Sequence, residues 1–374
     1  MYFKKLGFPV INNFAGDIRE FTPGLFKILS GFDVEPVLEN GYGSRLGFTP
    51  QDYLDVFPTI RFADREEVFH QDMLITLKNP DLEDLEMLNE GSGLFSMIHY
   101  ETRPGCVELI HRKKIKAFSM DSMVDDQGIR TFVDYFGTAY AGCETAFDVL
   151  KQTREDFTST DRKPYVATIV GAGGVAQGCV RSFEVLGDKE LFAKKLPGLL
   201  TQVITRSITT DEENLKKVLC GTDILVDASK RPDSSKYILT NKQLGYLPEN
   251  AIILDISADH YDTSVTPILV KAFEGIIKGT YDKRVIYTDD PEYDEVPAGV
   301  DTTNRRITVS CDAWPSIHPH QSIVYYEGIM RNYMDLLLGR DTDTLDINSN
   351  NFFERSLYRG TIKHFDEMTA MEKK

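Results

Sequence analysis

A chain of 374 residues exceeds what one ordinary hydrophobic core accommodates, so two domains are expected. With 41% hydrophobic and 27% charged residues the composition is globular rather than disordered or fibrous. A formal net charge of −16 argues against a polyanion as main partner, because a nucleic-acid surface needs clustered Lys and Arg, and the pairs Lys113-Lys114 and Lys194-Lys195 are the nearest thing to basic clusters.

Lys5–Pro9 reads as a strand, Pro23–Ser30 as a helix, and Val34–Glu39 and Met73–Leu77 as further strands. A strand-like run ending at His99, a helical Val107–His111 and a strand Ile115–Met120 follow. This alternation predicts a small parallel sheet with helices on its faces. Arg130–Lys151, rich in Ala and Gly with Phe132, Tyr135, Phe136 and Tyr140, predicts a long helix crossing between domains; Thr153–Lys163 is a polar linker. A second series then begins: strand Tyr165–Val170, helix Val175–Leu186, and strands Gln202–Thr205, Asp223–Ala228 and Ala251–Ile256. Such near-continuous apolar strands belong to a sheet covered on both faces. Ser322–Leu338 is amphipathic and helical, Asp341–Asn351 a polar loop. The expected fold is α/β, with two Rossmann-like parallel-sheet domains and an interdomain cleft. A discontinuous substrate domain spans 1–131 and 321–374, and a dinucleotide-binding domain over 132–320 is inserted in it.

Five cysteines without a CxxC pair suggest neither a disulfide framework nor a zinc knuckle; reduced thiols fit the cytoplasm. No apolar run reaches the roughly 18 residues that span a bilayer, so no membrane is expected as partner. His260, His318 and His320 lack a fourth spaced donor, so no metal is expected either.

The segment Gly171-Ala-Gly173-Gly174-Val175-Ala176 follows a strand and opens a helix. The first glycine makes a tight turn and the second admits a pyrophosphate close to the backbone. Ala176 stands where a third glycine usually packs near the sheet. The helix N-terminus then offers unpaired amides to phosphate. A methyltransferase loop is the competing reading. Ala228, closing a later strand, completes the expected cofactor edge. An NAD site wants an acid at the end of the second strand, whereas this chain has Thr205-Arg206-Ser207. An arginine flanked by hydroxyls suits a 2′-phosphate, so NADP(H) is preferred over NAD(H).

In the first half, Arg19 lies before Thr22-Pro23, Leu74–Leu77 ends in Lys78-Asn79-Pro80, and Leu94–Ile98 ends in His99. Asp121 precedes Asp125-Asp126-Gln127-Gly128-Ile129-Arg130; Asp255-Ile-Ser257-Ala258-Asp259 and Cys311-Asp312-Ala-Trp314-Pro315-Ser316 come later. In this order the motifs resemble the alanine dehydrogenase and lysine-forming saccharopine dehydrogenase superfamily, most closely its saccharopine branch. The chain departs from the family in carrying Asn79 where a Glu usually follows the strand lysine, and His318-Pro319-His320 in the last motif.

The resemblance implies Lys78 and His99 as the acid–base pair. It also implies Arg19, Asp121, Arg130, Asp259 and Asp312 as substrate-binding residues, Asp259 serving the cofactor side as well. Histidine titrates near neutrality, a desolvated lysine does so too, and arginine clamps a carboxylate bidentately. The expected function is reductive condensation of an amino acid with a 2-oxo acid, or its reverse, by an NAD(P)H-dependent oxidoreductase, with room for a homo-oligomer. Alternatives are alanine dehydrogenase-like oxidative deamination of a small amino acid, and a catalytically silent nucleotide-binding sensor.

Overall fold

The structure, a computed structural model, describes residues 3–11, 16–231, 233–257 and 259–372. Ala258 of the Asp255–Asp259 motif lies outside them. The chain divides into two compact units, Met1–Asp134 with Pro319–Lys374, and Tyr135–His318.

In the first unit, β1 (Lys5–Phe8), β2 (Glu35–Glu39), β3 (Arg61–Ala63), β4 (Met73–Lys78), β5 (Gly93–Met97) and β6 (Lys116–Ser119) form a sheet. All its pairings are parallel, in the order β3-β2-β1-β4-β5-β6. Successive strand residues face opposite sides, and both sides are apolar. Met73, Ile75 and Phe95 join one core with Phe8, Phe26 and Tyr53; Leu74 and Leu94 join another with Val37, Leu109 and Ile110. The three-residue β3, too short for a visible period, was not anticipated.

The helix expected from Arg130 begins instead at Tyr135. Asp125 Oδ1 accepts from the amides of Gln127 and Ile129, Gly128 is left-handed at φ 77°, and Val124 bridges Arg130; this turn keeps 130–134 out of the helix. The Ser322–Leu338 helix is two pieces, Pro319–Met330 and Met334–Leu337. Between them Tyr333 is fully buried, its hydroxyl 3.0 Å from Thr131 Oγ1. Two C-terminal helices, Phe352–Arg359 and Ile362–Glu372, complete the unit.

The second unit contains β7 (Tyr165–Val170), β8 (Leu199–Ile204), β9 (Ile224–Asp227), β10 (Ile252–Asp255), β11 (Val285–Ile286) and β12 (Ile307–Ser310). Their order is β11-β12-β10-β9-β7-β8, parallel except for β11 against β12. Strands β11 and β12 were not read from the sequence. The chain reverses direction of winding between β7 and β9, where ligands bind in sheets of this type. The helices Tyr135–Thr153 and Gly174–Glu190 meet closely: a Cβ on Gly178 would lie 2.7 Å from Tyr135 O. Among the described residues no helix is long and apolar enough to cross a membrane.

Candidate functional site

In the first unit the predicted residues follow the carboxyl ends of neighbouring parallel strands. Lys78 ends β4, His99 lies just past β5, Asp121 just past β6, and Arg19 in the segment after β1. Asp17, which no sequence pattern singled out, joins two of them. Its side chain is fully buried, accepts from Arg19 Nε at 2.6 Å on Oδ1, and accepts from Lys78 Nζ on Oδ2. Burial pushes the Asp17 carboxyl up, but the Arg19 charge and the hydrogen bonds from Lys78 and Arg19 outweigh it and hold it below the usual carboxylate range. An ionised Asp17 therefore orients both cations. Arg45 anchors the same segment, donating to Asp17 O at 3.1 Å and to Glu20 Oε1 at 2.9 Å.

Among the described residues His99 is one of three non-glycine residues with positive φ, at φ 56° and ψ 57°. That bend turns its ring back to Asp121: Nδ1 is 3.1 Å from Asp121 Oδ2, and the His99 amide donates to Oδ1 at 3.2 Å. Ser119 Oγ donates to the same Oδ1 at 2.8 Å. Burial raises the Asp121 carboxyl, but the hydrogen bond and charge of His99 and the Ser119 hydroxyl bring it below its ordinary value. The carboxylate expected to grip a substrate amine is thus 6% exposed and engaged by His99, fixing a tautomer with Nδ1 protonated. Arg130 is exposed on the 124–130 turn, and among the described residues no hydrogen bond or ion pair joins it to Asp121. Asn79 is buried, its Nδ2 3.6 Å from Cys106 Sγ.

In the second unit, Gly171 has φ +115°, and a Cβ there would meet Ala228 O at 2.5 Å, so this turn requires glycine. Gly173 caps the Gly174–Glu190 helix, with open space around its Cβ position; Val175 is half-buried and Ala176 buried. A cleft of about 530 Å³ runs along Gly171–Gly173, Thr205-Arg206 and Ala228–Arg231. Ser207 adjoins it, its Oγ 3.5 Å from Thr205 Oγ1. Among the described residues the side chains of Arg206 and Lys230 have no acidic partner, whereas Lys236 is paired with Asp233 at 3.0 Å. The left-handed glycine, the helix N-terminus and two uncommitted cations fit a dinucleotide phosphate chain. Asp259 is paired with Arg231 at 2.7 Å, and Asp312 is exposed just past β12.

Behind this cleft, β9 and β10 end in Asp227 and Asp255, both buried. Asp255 accepts from Lys271 Nζ at 2.5 Å, Ser310 Oγ at 3.0 Å and Ser257 Oγ at 2.9 Å. Ser257 Oγ also lies 3.2 Å from Asp227 Oδ2. Asp227 Oδ1 accepts from the Ser229 hydroxyl at 2.6 Å and amide at 3.1 Å, and the single Ser257 proton cannot serve both carboxylates at once. Burial, then the Asp255 charge, raises Asp227 to about 7. The folded chain accordingly holds a proton that the unfolded chain releases near 3.8. Stability from this group falls as pH climbs from about 4 to about 7 and then levels. Asp227→Asn, which keeps a donor toward Ser257, is expected to lose less Tm between pH 5 and pH 8 than the wild type.

The two units define a class: paired doubly wound domains, one with a dinucleotide-type cleft. Residues 21–136 match the family described as alanine dehydrogenase/PNT, N-terminal domain. An L-alanine dehydrogenase structure superposes with TM-score 0.72 over 96% of this chain and 94% of that one, at 12% identity. The transhydrogenase from Sinorhizobium meliloti gives 0.63 over 89% and 93%, at 10%. Two relatives are named N(5)-(carboxyethyl)ornithine synthase. That of Lactococcus lactis subsp. lactis is 25% identical over 266 residues, 68% of this chain and 79% of its own length. That of Clostridium botulinum is 24% identical over 303 residues, 77% and 85%. Residues 21–136 are thus similar in sequence to the alanine dehydrogenase/PNT N-terminal domain, and the chain shares the fold of L-alanine dehydrogenase.

Proposed function

We propose that this protein is a nicotinamide-dependent oxidoreductase that makes or breaks a C–N bond of an amino acid, by reductive condensation with a 2-oxo acid or the reverse. The observation that carries the reading is the joint placement of Asp17, Arg19 and Lys78 beside the His99–Asp121 pair along one sheet edge. The relatives' name, describing ornithine that bears a carboxyethyl group on N5, supports condensation over simple deamination.

In this reading Arg19, oriented through Nε by Asp17, holds the oxo-acid carboxylate. Lys78, oriented by Asp17, hydrogen-bonds the oxo oxygen and gives it a proton as it departs as water. His99 exchanges a proton with the amine nitrogen through Nε2, because Asp121 occupies Nδ1. Gly171–Ala176, Thr205-Arg206 and Ala228 would hold the dinucleotide, which when bound would supply or accept the hydride. Arg206 favours NADP(H), by offering a cation where an NAD site places an acid at the end of the second strand, and Lys230 adds a second cation to the same cleft. Free cysteines suit a reducing, cytoplasmic setting.

One observation favours oxidative deamination of a small amino acid as a second reading: Asp121 is already engaged by His99, which removes one grip on a second amino acid. The test is oxidation of NADPH and of NADH followed at 340 nm against pyruvate, glyoxylate and 2-oxoglutarate, each with ammonia, lysine or ornithine. Turnover that requires an amino acid and an oxo acid together is expected. Turnover with ammonia alone would replace it by the deamination reading, and dinucleotide binding without any turnover by a sensor.

A further inference from the structure

Lys271 is a lysine with no solvent access, placed among the buried Val270, Ala272 and Phe273. Taking an ammonium out of water costs several kcal/mol even when paired, and apolar residues in its place are often as stable. Its contacts show what the charge accomplishes. Nζ donates to Asp255 Oδ2 at 2.5 Å and to the backbone oxygen of Asp259 at 2.6 Å. Asp255 is the last residue of β10, and Ser310, the last of β12, donates to the same Oδ2. The ammonium therefore ties the turn carrying Asp259 to two strand ends. From the other side Arg231, 5% exposed at its side chain, donates to Asp259 Oδ2 at 2.7 Å and Val270 O at 2.6 Å through Nη2, and to Lys236 O at 2.8 Å through Nη1. Asp259 is gripped twice, and its carboxylate is still 35% exposed.

We propose that Lys271 and Arg231 are positioning residues that clamp Asp259, one by its backbone and the other by its carboxylate, and hold this acid at the carboxyl edge of the second sheet. Beyond Asp259 the chain is pinned by the Tyr261 hydroxyl, which accepts from the Gly275 amide at 3.0 Å, and where Asp262 and Leu269 exchange two backbone hydrogen bonds, with 263–268 exposed between them. Without the clamp the acid would sit at the root of an exposed arm. The catalytic consequence rests on the reading that Asp259 serves the reaction; the clamp itself does not.

The test uses the full-length chain. Asp255→Asn combined with Lys271→Gln removes the charge pair together, so no orphaned buried charge unfolds the sheet. Arg231→Met is the second variant. Hydrogen–deuterium exchange, with and without NADPH, is expected to quicken at least about tenfold over residues 256–262 in both, while β7, β9 and β10 stay protected. Turnover is expected to drop at least about tenfold, and adding Asp259→Asn should lower it no further. Unchanged exchange over 256–262 in both variants would overturn the clamp. Wild-type turnover by Asp259→Asn alone would overturn the role of Asp259, with exchange still deciding the clamp.

Discussion

Lys78→Met is expected to lower kcat by about a hundredfold to ten-thousandfold, the range supplied by one positioned proton-transfer group. Binding of NADPH should be unaffected, since the residues assigned to it belong to the second unit. Removing one cation from a buried carboxylate is costly by itself, so a fall in activity could reflect a loosened Asp17. Lys78→Arg separates the effects. It keeps a cation for Asp17 and is expected to restore Tm, yet arginine does not exchange its proton near neutrality, so kcat should remain low. Full activity in Lys78→Arg would assign the lysine a purely electrostatic part. Recovery of neither Tm nor kcat would mean that the bonding geometry at Asp17 needs an ammonium.

Arg206→Glu carries the second large effect. A glutamate at the end of β8 suits a ribose 2′-hydroxyl and repels a 2′-phosphate. Two charge-assisted hydrogen bonds to a phosphate are worth about 3–6 kcal/mol in all. The NADPH Kd is therefore expected to rise at least about a hundredfold, while that for NADH stays level or falls. Fluorescence titration of both dinucleotides measures this without any knowledge of the substrate. Lys230→Met should weaken NADPH by a smaller factor in the same direction, and equal losses for both dinucleotides would make Arg206 a contact to the shared phosphates instead.

The framework of strands was readable because each is a run of apolar residues with turn signals at its ends, and residues that end such runs, Lys78 and His99, fall on one sheet edge by topology alone. The glycine turn was readable because only glycine fits at Gly171. What pattern reading missed has a common cause. Asp17 meets a lysine 61 positions away, and no local period marks that pairing. Lys271 sits in a stretch whose neighbours are apolar, and nothing in -Val-Lys-Ala-Phe- reveals that the lysine is buried rather than turned outward. Asp121 was expected to serve a substrate because the resemblance to the saccharopine branch implies it, and no local pattern shows its pairing with the His99 ring. Only the left-handed backbone at His99 decides which way the ring turns. Short strands such as β3 and β11 escape because two or three residues carry no periodicity.

The discontinuity of the first unit has a consequence for how the protein is made. Its apolar core joins Phe8 and Phe26 to Ile323, Tyr333 and Leu357, so on the ribosome the segment bearing Asp17, Lys78 and His99 waits for residues 323–357 to be made before its core closes. The second unit, one uninterrupted stretch, can fold while that segment is still incomplete. Nascent chains would then acquire a dinucleotide pocket before the unit carrying the proposed acid–base residues, and a cofactor captured early would stabilise the half already formed.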